Sequence, residues 1–131
     1  MTRVFKMQEL RITTDDKPGT LARVTGPIAE AKINVNAICA YRMEGKAYFH
    51  VITGNNEGAK ASLAKAGLNV TQQDVVVVET TNESGTLFRA SQQLAQAGVD
   101  LDYCYATASA AGNTWIVFAT PTIERAMNVV P

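Results

Sequence analysis

Asp16-Lys17-Pro18-Gly19-Thr20-Leu21-Ala22-Arg23 returns 66 residues later as Asn82-Glu83-Ser84-Gly85-Thr86-Leu87-Phe88-Arg89. A self-similarity with that period marks two copies of one supersecondary unit. Both versions carry a turn whose glycine precedes Thr-Leu and opens a helix. The fold of the chain is therefore the fold of one copy, used twice.

Upstream of the first turn, Val4 to Thr13 is rich in β-formers and reads as a strand ending at Asp15-Asp16-Lys17-Pro18-Gly19. Downstream, Leu21, Val24, Ile28 and Ala31 recur at helical spacing, interrupted by Gly26-Pro27. Ile33 to Arg42 predicts a second strand, Met43 to Lys46 a turn, and Ala47 to Thr53 a third strand. Glu57 to Ala66 predicts a helix closed by Gly67, and Leu68 to Thr71 a short fourth strand. Strand, helix, strand, strand, helix, strand is the split βαβ order of a ferredoxin-like unit, an antiparallel sheet with both helices on one face.

The second copy follows the same plan. Val75 to Thr80 is its first strand, and Leu87, Ala90, Leu94 and Ala97 repeat the helical stripe up to Gly98. Val99-Asp100-Leu101-Asp102 matches Ile33-Asn34-Val35-Asn36, and Gly112 matches Gly45 after a one-residue insertion. Trp115 to Thr120 is the third strand, and the second helix is still finishing at Val130-Pro131. The expected class is α+β: two tandem βαββαβ units, residues 1–73 and 74–131, the second without its last strand. That absence bares one edge of the strand beginning at Val75. The Val4 to Thr13 segment, or the Val75 to Val78 run of a second subunit, can cover it.

Composition narrows the function. Twelve basic residues balance twelve acidic ones among 131, so no global field draws nucleic acid or an anionic membrane. No apolar run approaches the roughly 20 residues that span a bilayer, and the start lacks a signal region, so a cytoplasmic location is expected. Neither Cys39 nor Cys104 belongs to a C-x-x-C pair, and both read as small buried hydrophobes on opposite faces of equivalent strands. His50 is the single histidine and has no nucleophile–base set around it in the sequence; it reads as a strand-face packing residue. Trp115 and Tyr48 share a strand position in the two copies and read as core or interface residues. The phosphate-loop pattern G-x-x-x-x-G-K-[ST] is absent, and no cofactor, metal or catalytic residue is expected.

Binding residues are expected in two places. Gly19, Thr20 and Leu21, with Asp16 beside them, and Gly85, Thr86 and Leu87 stand at helix starts. There unpaired amides and the helix dipole favour a carboxylate or phosphate. The competing reading has Asp16 and Asn82 capping their helices, with glycines that only permit the turn. Asn34, Asn36, Asp100 and Asp102 alternate with apolar neighbours, so they project from the strand face opposite the core or at the strand's opening end, suited to an α-amino group or simply solvated.

The turn Asp16-Lys17-Pro18-Gly19-Thr20-Leu21, the following Ala31-Lys32-Ile33-Asn34-Val35, and their counterparts Ser84-Gly85-Thr86-Leu87 and Ala97-Gly98-Val99-Asp100-Leu101 resemble the ACT domain, a ferredoxin-like regulatory module. The resemblance covers nearly the whole chain and is closest to stand-alone tandem ACT proteins without a catalytic domain. It implies a non-enzymatic module that binds an amino acid where ACT units pack side by side, against the turn and the second strand of a neighbour. A homodimer joined through sheet edges or side-by-side units is implied as well. Pro18 becomes Ser84, and Asn34 and Asn36 become Asp100 and Asp102, so the two sites are expected to differ. The alternative is a protein-interaction or oligomerisation module without a ligand. An acylphosphatase-like enzyme lacks its arginine-bearing loop, and RNA binding on the sheet is disfavoured because Tyr48 and Phe49 point to opposite faces.

Overall fold

A computed structural model describes residues 2–107 and 112–129. The insertion ahead of Gly112 and the Val130-Pro131 end lie outside the described residues. The elements run β1 (Arg3–Asp15), α1 (Thr20–Glu30), β2 (Val35–Met43), β3 (Lys46–Thr53), α2 (Asn56–Lys65), β4 (Val70–Thr81), α3 (Thr86–Gln96), β5 (Tyr103–Thr107), β6 (Asn113–Ala119) and α4 (Ile123–Val129). The chain is α+β and built of two ferredoxin-like units.

Packing groups residues 8–73 as one compact unit and residues 1–7 with 74–131 as the other. Both β1 and β4 cross that division, so each gives its two halves to different units. In the first unit the strand order is β2-β3-β1-β4, and in the second it is β1-β4-β6-β5. β1 pairs antiparallel with β3 from Leu10↔Val51 to Asp15↔Lys46. The equivalent second-unit pair is β4 with β6, from Val76↔Phe118 to Thr81↔Asn113.

The bare edge expected in the second copy is filled by the opening strand of the same chain. Arg3 NH1 lies 3.5 Å from Glu79 Oε1, the Thr2 and Thr80 hydroxyls are 3.1 Å apart, and Val4 packs on the second core. The short strand expected at Leu68 to Thr71 and the separate one at Val75 are a single strand, β4, because nothing in Thr71-Gln72-Gln73-Asp74 forces a turn.

Each core lies between a sheet face and two helices. Leu10, Ile12, Phe49 and Val51 meet Val24 and Ile28 of α1 and Ala59 and Leu63 of α2. Val76, Val78, Ile116 and Phe118 meet Ala90 and Leu94 of α3 and Ala126 of α4. The i, i+4 spacing of each helical pair places both side chains on one face. The buried stripe of α1 is Thr20, Val24 and Ile28, whereas Leu21, expected in the stripe, is 54% exposed. Thr20 tolerates burial because its hydroxyl donates to the Lys17 carbonyl at 2.6 Å. Leu87 likewise stands outside its core at 47% exposure. The strand expected from Ile33 begins at Val35, and that expected from Val99 begins at Tyr103.

Candidate functional site

Gly19 and Gly85 occupy the residue just before α1 and α3 with φ of 87° and 88°, a left-handed conformation that L side chains rarely adopt. No side chain caps either helix, so Asp16 and Asn82 are not caps. The first intrahelical bonds run from Arg23 N–H to the Gly19 carbonyl at 3.0 Å and from Arg89 N–H to the Gly85 carbonyl at 2.9 Å. The backbone of the two starts is the same; their surroundings are not.

In the first unit, the turn leans on the β2–β3 hairpin. The Asp16 N–H donates to the Gly45 carbonyl at 3.3 Å, and Asp16 Oδ2 lies 3.5 Å from Arg42 NH1. Asp15 Oδ1 accepts from Lys46 Nζ at 3.1 Å, which holds the Asp15 carboxyl below its ordinary range, with Lys17 and Arg23 adding to the effect. The Thr20 hydroxyl is buried and engaged with Lys17. In the second unit, Thr86 accepts from Arg89 NH2 at 3.3 Å. Thr86 and Leu87 help line a crevice of about 180 Å³ with Asn82, Glu83, Thr107 and Thr114.

Asn34, Asn36, Asp100 and Asp102 are exposed, and within their own units they are not brought to these turns. α1 has 11 residues, about 16 Å at 1.5 Å per residue, and it separates Gly19 from the start of β2. What sits beside the turn is the far end of β2, at Arg42 and Met43. Asn34 instead accepts from the Gly54 N–H through its carbonyl at 2.9 Å, and Asn36 lies at an irregularity in the β2–β3 register between Val35 and Ala37. Asp102 donates its N–H to the Ala119 carbonyl at 2.7 Å, and the Asp100 carbonyl accepts from Thr120 Oγ1 at 2.6 Å. These backbone bonds dock the loop before each second strand; the side chains face solvent.

A polar network in the first unit was not read from the sequence. Glu9 is 0% exposed, and its Oε1 accepts from Arg11 Nε at 3.0 Å and lies 3.1 Å from His50 Nδ1. The Tyr41 hydroxyl is 3.0 Å from His50 Nε2. A neutral imidazole that donates from Nδ1 and accepts from Tyr41 at Nε2 satisfies both contacts. Burial pushes the Tyr41 phenol and the neighbouring Cys39 thiol above their ordinary values, and Glu9 adds to both. The available signal was the i, i+2 pair Glu9 and Arg11 on β1, but placing it against His50 needs the β1–β3 register. The cysteines do face opposite ways, with Cys39 paired to His50 and Cys104 to Phe118. Neither is the buried hydrophobe expected: Cys39 is half-buried and Cys104 exposed.

Among the described residues, no group of three or more His, Cys, Asp or Glu converges, and no helix is long and apolar enough to cross a membrane. The fold and the paired glycine turns define a tandem ferredoxin-like module of ACT type. The sequence profile of the ACT domain pair matches residues 5–131, and the chain belongs to that family. No curated protein is matched by the sequence. Among solved structures, protein BT0572 from Bacteroides thetaiotaomicron superposes with a TM-score of 0.87 at 24% identity, over 96% of this chain and 87% of that one. The ligand-free regulatory subunit of aspartate kinase from Thermus thermophilus superposes at 0.69 and 16% identity, over 98% of this chain and 93% of that one. The corresponding subunit from Thermus flavus gives 0.61 at 17%, with the same coverage of 98% and 93%. At these identities the likeness is one of fold.

Proposed function

We propose that the chain is a non-catalytic regulatory module that binds a small effector, an amino acid, at the Gly19 and Gly85 helix starts. The observation that carries this reading is the duplicated left-handed glycine ahead of a helix that no side chain caps, each beside an exposed leucine. Amides and dipole at a helix start favour a carboxylate, and Leu21 or Leu87 offers apolar contact to a side chain. Any part played by Asn34, Asn36, Asp100 or Asp102 comes from a neighbouring unit, which is why the active form is a homodimer in this reading. Regulation would then be the difference in effector affinity between two arrangements of units. The regulatory subunits of aspartate kinase among the structural neighbours are consistent with such a role.

A thermal-shift screen of the amino acids tests this. Ligand at a hundred times its Kd stabilises by about 2.7 kcal/mol, and Gly19→Val or Gly85→Val should diminish the shift by straining the turn. No stabilisation by any amino acid at millimolar concentration would sink the reading. A second reading, a protein-interaction module without a ligand, is favoured by the edge strand β2, where Val35, Ile38, Tyr41 and Met43 are exposed. Its mark is concentration-dependent association in sedimentation that no amino acid alters.

A further inference from the structure

The second unit holds a crevice that the helix starts do not touch, lined by Arg3, Phe5, Lys6, Met7, Glu79 and Trp115. Its volume of about 330 Å³ reaches the lower end of small-molecule pockets, about 300 Å³. We propose that it is a binding site for a ligand carrying a planar aromatic ring and a carboxylate.

Phe5, Met7 and Trp115 are each half-buried, so they offer apolar surface without closing over it. The Trp115 indole is fixed: its Nε1–H donates to Glu79 Oε2 at 2.9 Å. Glu79 Oε1 in turn lies 3.5 Å from Arg3 NH1, and the Arg3 guanidinium sits 4.6 Å over the Phe5 ring. A ring entering beside Trp115 and Phe5 therefore meets surfaces already held in place, which lowers the ordering cost of binding.

The ionic groups fix the rest of the ligand. One cation, Arg3, faces the crevice beside its single carboxylate, Glu79. Lys6 alternates with Phe5 and Met7 along β1, and its ammonium lies 3.5 Å from Glu124 of α4 on the helix-covered face, so its charge is turned away from the crevice. Arg3 has guanidinium donors beyond the NH1 facing Glu79, so a ligand carboxylate finds charge-assisted donors there. The first unit has Thr13 and Tyr48 at the repeat positions of Glu79 and Trp115, so this site belongs to one copy alone. It stands or falls separately from the helix-start sites.

Trp115 is the chain's single tryptophan, so its emission reports this crevice. The full-length protein is titrated with 3-phenylpropionate, with L-phenylalanine, which differs by its ammonium, and with 3-cyclohexylpropionate, which lacks a planar ring. A saturable change with an aromatic acid is expected, weakened about tenfold in Arg3→Met and little altered in Lys6→Met, whose charge lies on the other face. Cyclohexylpropionate should bind more weakly. Tighter binding of L-phenylalanine assigns an aromatic amino acid, read by Glu79; tighter binding of 3-phenylpropionate assigns a plain aryl acid. No saturable change up to about 10 mM, a Kd weaker than millimolar, overturns the proposal. So does a response unaltered in Arg3→Met and Phe5→Leu while Gly85→Val abolishes it, because the ligand then sits at the helix start.

Discussion

Glu9 is the residue on which the first unit's polar interior depends. It has no exposed surface, and Arg11 and His50 both lean on one of its oxygens. Removing one partner of a buried charged network leaves the others uncompensated and costs about 3–5 kcal/mol. Glu9→Ala is therefore expected to lower the denaturation free energy by about 3 kcal/mol or more, measured in urea. A change within experimental scatter would mean that the network contributes nothing net. The thiols give a second prediction. Cys39 is half-buried, with its thiol held up by burial and by Glu9, whereas Cys104 is exposed. Since the thiolate is the nucleophile, iodoacetamide at pH 8 should label Cys104 before Cys39, as mapped by peptide mass spectrometry. The sequence allowed the opposite faces of the two cysteines to be read, because alternation along a strand is local. It did not allow their exposure to be read, since that depends on what lies over each face. For the same reason Leu21 and Leu87 passed for core residues: helical spacing defines a stripe but not where the stripe leaves the sheet.

The elements were legible where periodicity ran uninterrupted and illegible where it began or ended. α1 and α3 start where the glycine turns put them, and β3 and β6 follow their apolar runs. By contrast, Ile33-Asn34 and Val99 to Asp102 alternate as a strand does, yet they are loops docked through Asn34, Asp100 and Asp102 backbone bonds. Alternation cannot show that a pairing partner is missing. For this reason Asn34, Asp100 and Asp102 stand just ahead of their strands, at the opening end, and only Asn36 lies within one; a helix length separates all four from the turns in their own units. One tie between elements makes a pH prediction. Asp15 at the end of β1 pairs with Lys46 at the start of β3, and its carboxyl is held below the ordinary 3.8. A carboxyl depressed in the folded state contributes stability above its unfolded pKa, lost as pH falls through the folded one. The Lys46→Met variant should therefore bring the Asp15 carboxyl, followed by NMR titration, back up toward 3.8 and shrink the acid-limb contribution. An unmoved titration curve would show that Lys46 is not the cause.

At the scale of the whole molecule, the division of labour along β1 decides stability. A single β-rich run, Val4 to Thr13, gives no sign in its composition that residues 3–7 and 8–15 serve different cores. The repeat exposed the vacancy beside the second copy's first strand but left its occupant open between this chain and another. The structure fills it from within: Thr2 meets Thr80, Arg3 meets Glu79, and Val4 packs with Val76, Val78 and Phe118 in the second core. Residues 2–7 thus act as the closing strand of a unit that begins nearly seventy residues downstream. Removing them has two consequences. The second core loses Val4, and β4 presents unpaired N–H and C=O groups, a template for another chain. The chain lacking residues 2–7, and Val4→Asp in the full chain, should both lower the unfolding midpoint followed by Trp115 emission. Only the truncation should also raise the weight-average mass in sedimentation, because Val4→Asp keeps the strand's backbone in place. If the truncated chain stays at the parent's mass and midpoint, the opening strand is a passenger rather than the second unit's missing edge. If Val4→Asp associates as strongly as the truncation, side-chain packing rather than strand pairing holds that edge closed.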